Sequence, residues 1–225
     1  MATSGRPAAQ HVADLMYMYD KAGDDNQIEI IRALGETCAR EAVPVLQRIR
    51  RNRSGKAELE AIRALGQTRQ PEAVSVLAEI RRGTSGDREL EAIRALGQTR
   101  QPEAVSVLAE IRRVSNSDKE IEAIRALGQT RRPEAVSVLA EIRRALGGDK
   151  EIEAIRALGQ TRRPEAVSVL VEIRRAVMGD KEIEAIRAIG ETGAPEAVTA
   201  LQQIRRATSG SCETEAIRAL SRYKQ

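Results

Sequence analysis

The nine residues EAIRALGQT stand at 60–68 and recur unchanged at 91–99, 122–130 and 153–161, each copy 31 residues after the last. Self-similarity at a fixed period of this length marks a stacked-repeat architecture. The glycine inside the segment sets the frame. Gly35, Gly66, Gly97, Gly128, Gly159 and Gly190 follow one another at 31 residues; one step further lands on Ser221, and one step back on Ser4.

One unit reads DKEIEAIRALGQTRRPEAVSVLVEIRRAVMG, residues 149–179. Asp149 is the expected N-cap of a first helix, with Glu151 in its first turn. On a wheel at 100° per residue, Ile152, Ala154, Ile155, Ala157 and Leu158 cover a wide apolar arc. Glu153 and Arg156 are left on a narrow polar stripe, where they read as an ordinary surface pair at i, i+3. A helix so widely apolar is packed on more than one side. Gly159 and the polar QTRR are expected to end it. Pro164 suits the first turn of a second helix, where its missing N–H costs nothing. In that helix Ala166, Val167, Val169, Leu170 and Ile173 form the apolar arc, and Arg174 and Arg175 fall in the last turn, favourable at a negative helix end. The loops that follow vary (GTSG, VSNS, ALGG, AVMG, ATSG) while the helices do not, so helix packing sets the repeat. Ala154, Ala157 and Gly159 are small enough to let neighbouring helices approach closely.

The ends differ, as they must where a terminal repeat has one face in water. Residues 9–22 match the second-helix register, with Val12, Leu15 and Met18 where Val167, Leu170 and Ile173 stand. The far end supplies a lone first helix. The expected organisation is an N-terminal cap over 1–24, six repeats over 25–210 and a C-terminal cap helix over 211–225. Fourteen helices follow, and the fold class is all-α, a right-handed α-solenoid of 31-residue helix-turn-helix units.

Composition narrows the function. Trp and Phe are absent, with three Tyr and one His, and the net charge is +4. His11 beside Asp14 reads as a cap-surface residue, because acid–base catalysis by histidine needs a positioned partner. Cys38 and Cys212 fit neither a disulfide framework nor a metal-ligand spacing. The glycines form no phosphate-binding fingerprint. No enzyme activity, metal or cofactor is expected. The absence of an 18-residue apolar run argues against a membrane span, and MATSGRPAAQH carries no signal-peptide pattern. A cytoplasmic, reduced protein is expected.

The best binding candidate is the polar stripe of the second helices. It comprises Glu72, Ser75, Glu79 and Arg82; Glu103, Ser106, Glu110 and Arg113; Glu134, Ser137, Glu141 and Arg144; and Glu165, Ser168, Glu172 and Arg175. In the flanking repeats it becomes Glu41, Pro44, Arg48 and Arg51, and Glu196, Thr199, Gln203 and Arg206. Stacked helices lie about 8–10 Å apart, so the stripe forms columns of alternating acid and arginine. Such regularity suits a periodic partner, self-association or an untuned scaffold. Met16, Tyr17, Met18 and Tyr19 are the one aromatic cluster, read first as cap packing. A basic edge of Arg100, Arg131, Arg132, Arg162 and Arg163, with Arg143 and Arg144, could follow nucleic-acid phosphates. The acids interleaved with it, and the lack of aromatics for stacking on bases, argue against that role.

The paired pattern D…A.ALG… then P.AV..L…I resembles the HEAT-like repeat of the phycobilin-lyase type, and engineered arrays built on the same 31-residue module (alphaRep). The resemblance runs from about residue 9 to 222. The family commonly carries a Val-Arg pair eight to nine residues before the glycine; here Lys150 and Glu151 stand there, and the arginine is at 156. The resemblance implies convex first helices, concave second helices and a partner bound on the concave side. The expected function is therefore a non-enzymatic protein-binding scaffold using the second-helix face. The alternatives are an engineered scaffold without a natural partner, an accessory subunit of a tetrapyrrole lyase, and a backbone-directed nucleic-acid binder.

Overall fold

A computed structural model describes residues 8–114 and 117–223, without the side chains of 112–117. Among the described residues lie fourteen helices and no strand: α1 (Ala8–Lys21), α2 (Asp24–Glu36), α3 (Ala42–Asn52), α4 (Lys56–Gln67), α5 (Pro71–Gly83), α6 (Asp87–Thr99), α7 (Pro102–Val114), α8 (Ser117–Thr130), α9 (Pro133–Ala145), α10 (Gly148–Gln160), α11 (Pro164–Ala176), α12 (Asp180–Glu191), α13 (Pro195–Ala207) and α14 (Ser211–Ser221). They form two compact units, one through Val107 and one from Leu108 on. In the first, α2 packs on α4 and α4 on α6, with α3 and α5 alongside. In the second, α8, α10, α12 and α14 pack in order, flanked by α9, α11 and α13. Each unit is thus an all-α solenoid of helix pairs, in which even-numbered first helices are enclosed and odd-numbered second helices keep an outer side. Ile62, Leu65 and Leu77 in the first unit, and Ile155, Leu158 and Leu170 in the second, are fully buried and make the core of each.

The second helices begin as expected. Pro164 occupies the first turn of α11 after the extended Arg163, and Arg174 and Arg175 fill the last turn. The first helices differ from expectation at both termini. Asp149 is not a cap. The residue before α10 is Gly147 and the one before α12 is Gly179, at φ +66°, with no side-chain cap bond at either. A positive φ, which glycine takes at least cost, falls on Gly179 before α12 and on Gly148, the first residue of α10, at φ +62°. Asp149 lies in the first turn, where its charge complements the helix dipole.

Gly159 does not end its helix either. It lies within α10, and a Cβ there would stand 2.7 Å from the Ala188 carbonyl oxygen and 2.9 Å from the Ala188 Cα of α12. The glycine is there because the next first helix passes too close for a side chain. The helix ends instead with Thr161, buried, whose hydroxyl donates to the Leu158 carbonyl at 2.6 Å. The left-handed residue comes next: Arg162 at φ 52°, as at Cys38, Arg69, Arg100 and Arg131, and at Gly193 in the last turn. A side chain in that region costs about 1–2 kcal/mol. Replacing Arg162, which is exposed, by glycine is therefore expected to raise stability by about 0.5–1 kcal/mol after the entropy of the freer unfolded chain is counted. Thermal unfolding of the Arg162→Gly protein checks this.

In α1, Val12 and Leu15 are buried as expected, but Met18 is not; Tyr19 is buried instead. The Tyr19 hydroxyl accepts from Arg53 Nε at 3.1 Å, which rotates the polar end of the ring toward α3.

Candidate protein-binding face

Charge in the first helices is committed to the stack. Glu153 is buried, as are Glu60, Glu91, Glu122, Glu184 and Glu215 at the same place in the repeat. The expectation of an ordinary surface pair at Glu153 and Arg156 is corrected. Arg156 reaches one repeat onward, its Nε donating to Glu184 Oε1 at 3.0 Å, while Nη1 stays 3.6 Å from Glu153. The same step joins Arg32 to Glu60 (3.1 Å) and Arg63 to Glu91 (3.0 Å) in the first unit. In the second unit it also joins Arg125 to Glu153 (2.9 Å) and Arg187 to Glu215 (3.2 Å). The Glu184 hydrogen bond raises the Arg156 pKa above its ordinary value against a desolvation that lowers it; Glu153 and Glu215 do the same for Arg125 and Arg187.

A second ladder runs beside the first. Glu58, Glu120 and Glu151, all buried, pair with Arg88 (3.6 Å), Lys150 and Lys181 from the following first helix. Lys150 and Glu151, which stand in place of the usual Val-Arg, therefore each supply one partner of an inter-repeat ion pair, with Glu120 and Lys181 respectively. Arg174, from a second helix, adds an Nη1 donor to Glu182 at 3.0 Å. Arg143 Nε lies 3.3 Å from Glu151 Oε1 without hydrogen-bond alignment. The sequence did hold a signal for these ladders: an acid and a base at constant offset in every copy. Spacing within one helix pointed to i, i+3, and only the stack reveals i, i+28.

The second-helix stripe is what remains outside. Ser75, Glu79 and Arg82, Glu103, Ser106 and Glu110, Glu134, Ser137, Glu141 and Arg144, and Glu165, Ser168, Glu172 and Arg175 are all exposed. Glu72 is half-buried, held by Arg40 Nε at 2.7 Å. The Arg113 side chain lies outside the described residues. Ser75 and Ser168 donate to the carbonyls of Glu72 and Glu165 (2.9 and 3.0 Å), so their hydroxyls are turned toward their own helix. Neighbouring second helices touch within each unit: α3 with α5, α9 with α11, and α11 with α13. The acid and arginine columns are therefore contiguous there. Of the basic edge, Arg163 lies 3.5 Å from Glu165 and Arg143 faces Glu151. Part of that charge is thus spent inside the protein.

Elsewhere, Asp14 accepts from Gln10 Nε2 at 3.1 Å and His11 is exposed beside it. Burial, and then the Glu182 carboxylate, push the Cys212 thiol pKa up, which keeps it protonated and poorly nucleophilic. Among the described residues no group of three His, Cys, Asp or Glu could hold a metal ion, and no helix is long and apolar enough to cross a membrane.

The sequence pattern described as HEAT repeats matches residues 12–90 and 85–150, and that of the PBS lyase HEAT-like repeat matches 183–204. No curated protein matches the chain. Among solved structures, the chain is similar to the complex of CpcE and CpcF of phycocyanin lyase from Nostoc sp. PCC7120, with 16% identity over 100% of this chain and 91% of that one at a TM-score of 0.50. Human deoxyhypusine hydroxylase, in complex with glycerol, shares 20% identity over 98% of this chain and 86% of its own at a TM-score of 0.46. An engineered protein shares 23% identity over 94% and 95% at 0.43. At such identities the likeness concerns the fold alone.

Proposed function

This chain belongs to the HEAT-repeat family, and from that premise we propose that it is a non-enzymatic protein-binding scaffold whose partner docks along the second-helix stripe. The observation that carries the reading is the division of charge. The first-helix glutamates Glu153 and Glu184 and their repeat equivalents are buried and paired with arginines of the stack, whereas Glu110, Glu141 and Glu172 stand exposed on successive second helices. An exposed acid–arginine ladder without aromatic anchors favours an extended, charge-complementary partner over a compact hot spot.

The test is capture from a native lysate with two baits, the natural chain and one carrying Glu110→Lys, Glu141→Lys and Glu172→Lys. All three residues are exposed, so circular dichroism is expected to show the same helix content in both baits. A protein enriched on the first bait and lost from the second is the expected result. A partner retained equally by both baits would place binding elsewhere. Nothing enriched on either bait would favour a scaffold without a natural partner.

The match to the PBS lyase HEAT-like repeat at 183–204 favours a second reading, an accessory subunit of a tetrapyrrole lyase. It predicts visible absorption from a bilin co-purifying with the captured partner.

A further inference from the structure

The second-helix stripe carries the opposite sign to the chain as a whole. The net charge is +4. Yet on α9 the exposed Glu134 and Glu141 stand against Arg144, and on α11 Glu165 and Glu172 against Arg175, two acids to each base. Much of this charge is also uncommitted. Glu184 and Arg187, three residues apart in α12, form an ion pair at 2.7 Å. At the same spacing, Glu141 and Arg144 form none among the described residues, and neither do Glu172 and Arg175.

A column of valines runs between the acids. With about 3.6 residues per turn, Val169 lies on the same face as Glu165 and Glu172, and Val138 on that of Glu134 and Glu141. Both valines are half-buried. Their outer side is an apolar floor for the aliphatic stem of a lysine or arginine whose head reaches the flanking carboxylates. In the first unit the equivalent Val76 lines a cavity between α3 and α5 with Gln47, Arg50 and Glu79. The face is furrowed there rather than flat.

Charge asks for a cation, and the repeat sets its spacing. Helices α9, α11 and α13 touch in order, and packed helices lie about 8–10 Å apart. Glu134, Glu165 and Glu196 occupy the first turns of these three helices, so one acid is offered per step of that size. A β-strand returns a side chain to the same face about every 6.7 Å, which misses the step. A polyproline II segment has about three residues per turn and rises about 3.1 Å for each, returning every 9.3 Å or so. That period matches the step. A second copy of the stripe, or a nucleic-acid backbone, would set negative charge against negative charge.

Resting on the docking role proposed above, we infer that the partner presents a polyproline II segment with Lys or Arg at every third residue. It crosses the second helices with its cations on the acid columns and their stems on the valines. Fluorescence anisotropy of labelled peptides titrated with the full chain tests this. A peptide of Pro-Pro-Lys triplets is expected to bind roughly tenfold or more tightly than one of the same composition with its lysines contiguous. Added salt should weaken it, because exposed charges are screened. Glu141→Lys with Glu172→Lys should weaken it by roughly tenfold or more, and should gain binding of Pro-Pro-Glu triplets. Equal binding of the spaced and contiguous peptides would overturn the inference. So would tighter binding of a helical peptide with lysine at every seventh residue, or indifference to the double substitution. If no peptide binds while a lysate protein is still lost from the lysine-substituted bait, the segment chemistry falls and the scaffold stands. If the bait also captures nothing, both fall.

Discussion

Replacing Gly159 by valine is expected to destabilise the second unit by about 3 kcal/mol, the upper end of overpacking costs. The sign is not obvious from helix physics alone. Gly159 lies inside a helix, where a glycine-to-alanine change ordinarily gains about 1 kcal/mol. Here the first added carbon meets backbone, the Ala188 carbonyl oxygen and Cα at 2.7 and 2.9 Å. Backbone cannot rotate away as a side chain could, so α10 and α12 must separate. Separation also strips the Arg156–Glu184 contact beside it. Alanine should cost less than valine yet still destabilise, reversing its usual effect. Because stacked repeats owe their cooperativity to neighbour interfaces, urea unfolding should shift to lower midpoint and become less steep. Hydrogen exchange should accelerate most in α12 and α14.

Removing the carboxylate of Glu184 is expected to cost about 1–3 kcal/mol. The side chain is buried and accepts from Arg156 Nε and Nη2 behind it and from Arg187 Nη1 in its own helix at 2.7 Å. Breaking a buried pair by deleting one partner reaches about 3–5 kcal/mol when the other charge stays buried. Arg156 and Arg187 are partly exposed and can turn to water, which moves the figure down. Glu184→Gln keeps the shape and some acceptor capacity and should lose less than Glu184→Ala. Chemical denaturation of both variants checks the order. Neither arginine titrates in the working range, since hydrogen bonds to the carboxylates raise pKa values that are already high.

Much of the fold was legible in the chain, because a period of 31 with Pro164 and Arg174–Arg175 at fixed offsets fixes helix pairs before any contact is known. The first-helix details were not. Gly159 was read as a helix stop, since glycine commonly follows a helix; its actual reason is a neighbour 31 residues away, which local spacing cannot express. The left-handed turn fell to arginine, a residue no turn rule selects. Glu153 and Arg156 looked like a surface pair for the same reason. Their partners are copies of themselves in adjacent repeats, so the signal was the identity of the repeats rather than any one of them. That identity explains why nine residues are repeated unchanged: the acid, the arginine, the glycine and the alanine of each copy must fit the next. The second helices were more legible, because Pro164 marks where α11 begins and its apolar arc leaves Glu165, Ser168, Glu172 and Arg175 exposed.

The most direct measurement of this self-complementarity is a pair of double-mutant cycles on Arg156. One couples it to Glu184 in the next repeat and the other to Glu153 in its own helix, by urea unfolding of the single and double alanine variants. The account predicts a coupling of about 1 kcal/mol or more across the repeat, against about 0.2–0.5 kcal/mol within the helix. A cross-repeat coupling no larger than the local one would contradict it.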